Sequence, residues 1–281
     1  MRTRFVEVAP DVYAVLGSNG MPNAVCIDGG EDGVVIVDSL FTPRYATEMM
    51  TALREVTDAP VKALINTHFH CDHTFGNTAI PTDRIIAHER ALAELQRRGQ
   101  NYVVELSGRR PDLAPELVDI GVRVRYPTET FGDEGMTLRA GDMTLELRFH
   151  GELAHTDHDV TVTIPERGVL IAADLVVEGV ALFMHDGELY GLRNVLQKLP
   201  REGISVVIPG HGEVGGLERI DDNLRQIAEI VEVTERVIAA GGDEAAARQA
   251  GLEHFADLPF CRQRVPDSMG QAYAQLTGAT A

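Results

Sequence analysis

Four side chains of the kind that bind metal ions lie within one short run, and this run constrains the chain more than any other feature. It reads His68-Phe69-His70-Cys71-Asp72-His73 and comes shortly after the apolar segment Val61 to Ile65. Histidine and aspartate are mostly surface residues, and burying several of them without partners is costly. A metal ion removes that cost, because neutral imidazole nitrogens and carboxylate oxygens are common zinc ligands. The run therefore predicts a metal site, and a chance cluster on a solvated loop is the alternative.

The surrounding pattern predicts how the run is presented. The segment Val61 to Ile65 is rich in apolar and β-branched residues, which indicates a buried strand. Side chains of an extended chain repeat every second residue, so His68 and His70 are expected to share one face. Asp72 and His73 follow where we expect a short helix. One loop can then present two imidazoles to one metal ion, and a carboxylate and a third imidazole to a neighbouring ion.

Three further candidate ligands each follow another strand-like segment: His155, Asp174 and His211. Open sheets place their sites at the carboxyl ends of strands, so these side chains are expected to meet there. The glycines on both sides of His211 allow the backbone to turn sharply. Each of the three, taken singly, is more simply a hydrogen-bonded structural residue. Together with the first run they predict a shared metal centre.

The combined set resembles the metallo-β-lactamase-fold hydrolase superfamily in the order and context of its motifs. Those motifs are His68-x-His70-x-Asp72-His73, Ala154-His155-Thr156, Ala173-Asp174 and Pro209-Gly210-His211-Gly212. The resemblance extends from about Val12 to the helix after His211. It implies an α/β (α+β) fold, a four-layered αββα sandwich, with residues 1–281 forming a single domain.

The resemblance also implies a dinuclear metal site. The first metal ion would be held by three imidazoles, those of His68, His70 and His155. The second would be held by Asp72, His73 and His211. Asp174 would bridge the two ions together with a water or hydroxide, and Asp72 would be the catalytic residue that orients this hydroxide. Two zinc ions are the implied cofactors, although the same ligands accept iron or manganese.

Departures from family patterns narrow the implied activity. β-Lactamases of this superfamily usually carry cysteine or serine where Asp174 stands, and the aspartate resembles the glyoxalase II, lactonase and general hydrolase branches. Lactonases often carry a tyrosine soon after this aspartate, whereas Leu175-Val176-Val177 follows here. Flavin-linked di-iron members replace one early histidine with glutamate, and this chain keeps His70. The resemblance implies a hydrolase whose metal-bridging hydroxide cleaves a small ester, thioester, lactone or lactam.

Three alternatives stay open at the level of sequence. One is a biosynthetic polyketide cyclase or thioesterase of the same fold, and another is an iron-dependent persulfide dioxygenase. The third is a metal-stabilised binding protein without catalysis, although binding alone does not require seven converging ligands. Metal analysis separates the dioxygenase from the hydrolase.

The composition of the chain limits the classes of binding partner that are expected. The formal net charge is −18, so nucleic acid is an unsuitable partner, because phosphate binding depends on clustered Lys and Arg. No run approaches eighteen apolar residues, and the N-terminus has no long apolar segment, so we expect a cytoplasmic protein that acts on a small molecule away from the membrane. The three cysteines predict no disulfide framework, and Cys71 is expected to pack in the core. The oligomeric state is unknown.

Two segments outside the motifs carry further expectations. Residues 99–135 have a weak pattern with Arg109, Arg110, Arg123 and Arg125, and we expect an insertion that shapes the substrate pocket or a surface excursion. Residues 217–281 are expected to form C-terminal helices, beginning with a long amphipathic one, and a loose tail from Pro266 onwards. His158 is expected on an exposed loop, with a role in supporting the metal site as the alternative.

Overall fold

The computed structural model describes residues 3–109, 117 and 121–278, and within them two β-sheets lie between two layers of helices. The strands of the first sheet are β1 Thr3–Ala9, β2 Val12–Gly17, β3 Ala24–Asp28, β4 Val34–Val37, β5 Val61–Asn66, β6 Ile85–His88 and β7 Glu129–Phe131. Those of the second sheet are β8 Met136–Ala140, β9 Met143–Phe149, β10 Val160–Ile164, β11 Val169–Val177 and β12 Val206–His211. The α-helices are α1 Pro43–Leu53, α2 Cys71–Thr74, α3 Glu89–Arg98, α4 Asn101–Arg109, α5 Leu189–Lys198, α6 Glu218–Ala239, α7 Glu244–His254 and α8 Cys261–Thr277.

Each sheet contains an antiparallel meander followed by parallel strands. In the first sheet the strands run in chain order, antiparallel from β1 to β4 and parallel from β4 to β7. In the second sheet β8 to β11 are antiparallel and β12 is parallel to β11. The parallel pairs bring the carboxyl ends of β4 and β5, and of β11 and β12, to one edge of their sheets. This is the edge at which open sheets bind ligands.

Side chains alternate between the two faces of each strand, and the apolar core therefore forms three layers. In β4, Val34 and Ile36 pack with the helices that cover the first sheet, whereas Val35 and Val37 pack against the second sheet. Strand β11 is buried over its whole length, because the first sheet covers one face and α5 to α8 cover the other. The expected four-layered αββα arrangement is confirmed.

The predicted loose tail after Pro266 is wrong for the described residues. Helix α8 runs from Cys261 to Thr277 with Pro266 inside it. Proline removes one helical hydrogen bond and normally ends a helix. Here Met269 and Ala272 are fully buried against the helices of the second sheet, and this tertiary packing stabilises the helix beyond the proline. The end of the predicted tail, residues 279–281, lies outside the described residues.

The expected insertion at 99–135 contains α4 and the short strand β7, neither of which its weak pattern had predicted. Residues 110–116 and 118–120, which include Arg110, lie outside the described part of the chain. No helix within the described residues combines the length and apolar character needed to cross a bilayer.

Candidate metal centre

The first histidine run follows β5 and enters the site as an extended segment and a short helix. His68 and His70 converge, with His68 Nε2 lying 3.1 Å from His70 Nδ1. The chain then turns into α2, which begins at Cys71 and carries Asp72 and His73. Thr67 and His68 to His73 thus present their side chains at the carboxyl end of a buried strand, as the sequence predicted.

Asp174 reaches the same place through an irregularity in β11. The pairing of β11 with β12 shifts register on both sides of Ala173, and Ala173 itself has a φ of +46°. A non-glycine residue in this region is uncommon and marks a local constraint, which here aims the next side chain into the site. Gly210 on β12 makes room for it, because a Cβ there would lie 1.9 Å from Asp174 Oδ1. Gly210 is therefore needed because no larger residue fits beside Asp174. The sharp turn is made by Gly212, whose φ is +92°.

The seven candidate ligands form two adjacent groups in which the ligand atoms lie within 4.8 Å of one another. The His68 group contains His68, His70, His155 and Asp174. The His73 group contains Asp72, His73 and His211. Asp174 lies between them, with Oδ2 at 3.3 Å from both His155 Nε2 and His211 Nε2 and Oδ1 at 3.1 Å from His73 Nε2. The structure therefore brings all seven predicted residues together.

Each imidazole is fixed through the ring nitrogen that faces away from its group. These outer contacts are His68 Nδ1 with Thr67 Oγ1 (3.0 Å), His70 Nε2 with Asp186 Oδ2 (3.0 Å), His73 Nδ1 with Asp38 Oδ2 (2.9 Å), His155 Nδ1 with the Phe183 carbonyl (3.1 Å) and His211 Nδ1 with the Gly20 carbonyl (2.8 Å). An acceptor at the outer nitrogen holds the proton there and leaves the inner nitrogen with a free lone pair. That is the tautomer a metal ion requires, and such partners orient the ligands of metal sites.

Asp38 belongs to the candidate centre, although the sequence pattern did not indicate it. Its carboxylate accepts hydrogen bonds from the backbone N–H and the hydroxyl of Thr67, at 2.9 and 2.8 Å, besides contacting His73. It follows β4 with a φ of +62°, and it is 3% exposed. The available signal was a carboxylate directly after a fully apolar strand. Nothing in the spacing linked it to a histidine so far along the chain.

Asp186 and Arg98 form a second support that was not predicted. Asp186 Oδ1 accepts a hydrogen bond from Arg98 at 2.8 Å while Oδ2 contacts His70. The guanidinium of Arg98 also stacks over Phe69, 4.5 Å from the ring centroid. Burial acts to raise the pKa of Asp186, but His70 and Arg98 hold it well below the ordinary value. The carboxylate is therefore charged and fixed beside a candidate ligand.

The pKa shifts in the centre divide between the two groups. Burial and the neighbouring imidazoles lower the pKa of His68 well below its ordinary value, and burial lowers that of His155 to about 3. For His73 burial acts in the same direction, but Asp174, Asp38 and Asp72 outweigh it and hold its pKa well above the ordinary value. Burial acts to raise the pKa of Asp174, but His211 and His73 hold it well below. His68 and His155 are therefore neutral, as metal ligands must be, and Asp174 is ionised. His73 holds a proton that a bound metal ion would displace.

A second observation, the lack of hydrogen-bond partners at the inner ligand atoms, also shows that these residues fit a metal ion. His73 Nε2, His211 Nε2 and Asp174 Oδ1 are buried and have no hydrogen-bond partner among the described residues, although each faces the others. Buried polar atoms are nearly always satisfied, so such orphans need an explanation. When the imidazoles are neutral, no described residue offers a hydrogen-bond donor to these inward-facing nitrogen and oxygen atoms. A bound cation would accept the lone pairs of all of them at once.

A cavity of about 670 Å³ opens onto the centre. Asp72 lines it and is 24% exposed, with Oδ2 at 3.5 Å from His211 Nε2. Burial acts to raise the pKa of Asp72, but His73 and His211 hold it below its ordinary value. Tyr102 and Leu106 of α4 also line the cavity, so part of the 99–135 segment borders the candidate site.

The structure also locates three other residues considered in the sequence: His158, Cys71 and His185. His158 is fully buried, so the expectation of an exposed loop residue is wrong; its Nε2 accepts a hydrogen bond from the Phe69 backbone N–H at 3.3 Å. It thus supports the loop that carries the first histidines. Cys71 is buried, and burial raises the pKa of its thiol. His185 is exposed at the rim of the cavity.

Comparison with known proteins adds a family and a fold. A family model described as the metallo-beta-lactamase superfamily matches residues 17–211, which include all seven candidate ligands. The linear primary-alkylsulfatase of Pseudomonas sp. is 26% identical over 294 residues, 88% of this chain and 54% of that protein. The metallo-beta-lactamase type 2 of Bacillus cereus is 25% identical over 192 residues, 65% of this chain and 64% of that protein. The chain thus spans between about half and two thirds of the length of these curated relatives.

Solved structures share the architecture. The metallo-beta-lactamase from Pontibacter korlensis superposes with a TM-score of 0.64 at 19% identity, and the alignment covers 81% of this chain and 99% of that one. At this identity the likeness concerns the fold alone.

Proposed function

The chain belongs to the metallo-beta-lactamase superfamily, and we propose that it is a metal-dependent hydrolase with two metal ions in adjacent sites. The observation that carries the proposal is the convergence of seven ligand side chains, of which five are imidazoles with their outer ring nitrogens already anchored. One ion would be held by the His68 group and the other by the His73 group, with Asp174 between them. Zinc is the proposed metal, and iron or manganese fits the same donors.

Two ions held in this way would supply a hydroxide nucleophile at neutral pH and polarise the bond that is cleaved. The protein's own contribution is orientation and charge. Asp72 lines the cavity and, as an ionised carboxylate, can accept a hydrogen bond from the nucleophile and later carry a proton to the leaving group. Asp38 and Asp186 keep His73 and His70 in the tautomer that leaves their inner nitrogens free.

The proposed substrate is a small molecule with an ester, thioester, lactone or lactam bond. A cavity of about 670 Å³ is within the range of small-molecule sites, and it opens directly onto both ligand groups. Because one relative is named for alkyl sulfates, sulfate esters belong in the same test. An acyl or sulfate ester presents an oxygen for polarisation and an alcohol or thiol that leaves with a proton.

The decisive experiment combines metal content with a substrate screen. We expect two zinc ions per chain and turnover of one class among thioesters, carboxylic esters, lactones, β-lactams and alkyl sulfates. Asp72→Ala should retain its circular dichroism spectrum and lose about 10²- to 10⁴-fold in kcat. Asp58→Ala, an exposed aspartate before β5, is the matched control and should keep full activity.

Two results would contradict the proposal. Full turnover by Asp72→Ala would remove the assigned role of that carboxylate. Stoichiometric iron with oxygen uptake, and no hydrolysis of any class, would favour a persulfide dioxygenase instead. A hydrolase that acts only on carrier-bound acyl chains would indicate the thioesterase alternative.

A further inference from the structure

One wall of the cavity is formed by a segment outside the residues that match the family model. Phe260, Gln263 and Arg264 line the cavity and lie at the start of α8, beyond the matched range 17–211. The ligand groups lie within that range. The metal centre and this wall therefore come from separate parts of the chain.

Phe260 adopts an unfavourable backbone conformation to reach the cavity. Its φ is +62°, the left-handed region that a bulky aromatic residue rarely occupies. Its ring lies against Gly20, where a Cβ would come within 2.5 Å of Phe260 Cε2. Arg264, one turn along α8, covers the ring with its guanidinium 4.9 Å from the centroid. Strain of this kind persists where the surrounding structure fixes it, and it is concentrated at binding sites.

Helix α8 also fixes a second aromatic ring beside the imidazoles. Gln271 donates hydrogen bonds to the Met184 and Gly187 carbonyls, both at 2.9 Å, and so holds the loop between β11 and α5. Phe183 lies on that loop, with its ring centroid 5.5 Å from that of His70 and 6.0 Å from that of His155. One helix therefore positions an aromatic ring next to the ligands and another at Gly20.

The character of the lining favours an apolar group over an anion. Its apolar members are Met21, Phe41, Tyr102, Leu106, Phe183 and Phe260. Of the two arginines, Arg98 is engaged with Glu94 and Asp186, while Arg264 donates to the Ala181 carbonyl at 3.0 Å and stacks on both phenylalanines. Asp186, which is not among the proposed metal ligands, faces the same cavity, and the whole chain carries a net charge of −18. The charges of Asp72 and Asp174 would be offset by bound cations.

We propose that Phe183 and Phe260, positioned by α8, form a subsite for an apolar acyl or alkyl arm of the substrate, and that Phe260 determines its preferred length. The inference rests on the proposed hydrolase function, because the arm is the group attached to the bond that is cleaved. It assigns a substrate class, a small ester or thioester with an apolar chain, to a site whose ligands alone do not select one.

The test uses p-nitrophenyl esters from acetate to decanoate and the metal-loaded protein. For the wild type, kcat/KM should rise by about fourfold for each added methylene until the cavity is filled. Phe260→Ala should lower kcat/KM for the octanoate ester by about tenfold or more and change that for the acetate ester by less than about twofold. Phe260→Asn should give the same profile with better stability, because asparagine tolerates a positive φ. Leu276→Ala, an exposed apolar position on the same helix, is the matched control.

Binding of 1-octanol, followed by calorimetry, separates the two proposals. It is neutral and has no bond to cleave, so it should bind the wild type and bind Phe260→Ala and Phe260→Asn about tenfold more weakly. If no ester is cleaved but octanol binding depends on Phe260, the hydrolytic proposal for esters fails and the subsite stands. If esters are cleaved with no dependence on chain length, or both variants lose all esters equally, the subsite is refuted and Phe260 is purely structural.

Discussion

The Asp38→Asn substitution isolates the role of one buried carboxylate in setting a histidine tautomer. Asparagine has nearly the same shape and tolerates the positive φ of this position. Its carbonyl can still accept the Thr67 backbone N–H, which lies 2.9 Å from Asp38 Oδ1. Its amide group then faces His73 Nδ1, and two donors cannot share one hydrogen bond. The neutral imidazole is then expected to keep its proton on Nε2, the nitrogen that faces Asp174 and that a metal ion would need free.

The expected magnitude follows from the three contacts of Asp38. Thr67 N, Thr67 Oγ1 and His73 Nδ1 lie 2.8 to 2.9 Å from the carboxylate oxygens, and hydrogen bonds to a charged acceptor are roughly twice as strong as neutral ones. Asparagine keeps polar contacts with this set, so the free energy of unfolding of the metal-free protein should fall by only about 2 kcal/mol. The affinity of the His73 group for zinc should fall by about 10- to 100-fold.

The assay is a zinc titration against a chelator of known affinity, read as two binding steps, together with urea unfolding of the metal-free protein. The step assigned to the His68 group should lose less affinity than the other step. Asp38 reaches that group only through Thr67 Oγ1, which contacts His68 Nδ1, and the outer contacts of His70 and His155 do not involve Asp38. Asp28→Asn is the matched control. Asp28 also follows an apolar strand stretch and accepts a hydrogen bond from Gly30 N, but it is not among the contacts of the metal centre.

Wild-type zinc affinity at both steps in Asp38→Asn would refute the tautomer reasoning. An equal loss at both steps would also refute it, because the substitution would then act through a general loosening of the site. Unfolding of the metal-free variant at the wild-type urea concentration would show that the three hydrogen bonds contribute little to stability.

Three further perturbations test other parts of the molecule. Gly210→Ala should displace Asp174, lower zinc content in elemental analysis and cost about 3 kcal/mol in urea unfolding, whereas Gly108→Ala, with open space around it, should cost nothing. Arg98→Met removes one partner of Asp186 and should weaken zinc binding in the chelator titration by about tenfold at the His68 group alone. Burial, followed by Arg148 and Lys198, lowers the pKa of His150 from 6.5 to about 4, so its contribution to stability is fully present above pH 6.5 and is lost as pH falls towards 4. His150→Gln should therefore lose about 2 kcal/mol less than the wild type between pH 7 and pH 4.5 in urea unfolding; an identical loss would contradict this.

The sequence predicted which side chains come together in the candidate centre, because metal chemistry requires particular side chains in a short span. His68 to His73 were visible together, and the strand before them fixed their place at a sheet edge. His155, Asp174 and His211 were found from their strand-end context and a family resemblance. Local pattern and chemistry agree at these positions, so a single chain was sufficient.

The supporting contacts could not be predicted, because they join residues that are distant in sequence. Asp38 reaches His73 and Asp186 reaches His70 only after both sheets and the loop before α5 are in place. Helix α8 was missed for a different reason. Pro266 is a strong local signal for a helix end, and burial of the residues beyond it, a tertiary effect, overrides that signal.

The ligands are divided between the two sheets: His68 to His73 follow a strand of the first, whereas Asp174 and His211 lie on strands of the second. A cation bound by these ligands would therefore link the two sheets, and it would be retained only while the sheets stay packed against each other. Slow release of zinc on mild heating would show that the two sheets separate before the strands of either sheet unfold. When the metal is scarce, the packing between the two sheets would then weaken first, and the chain would unfold only afterwards.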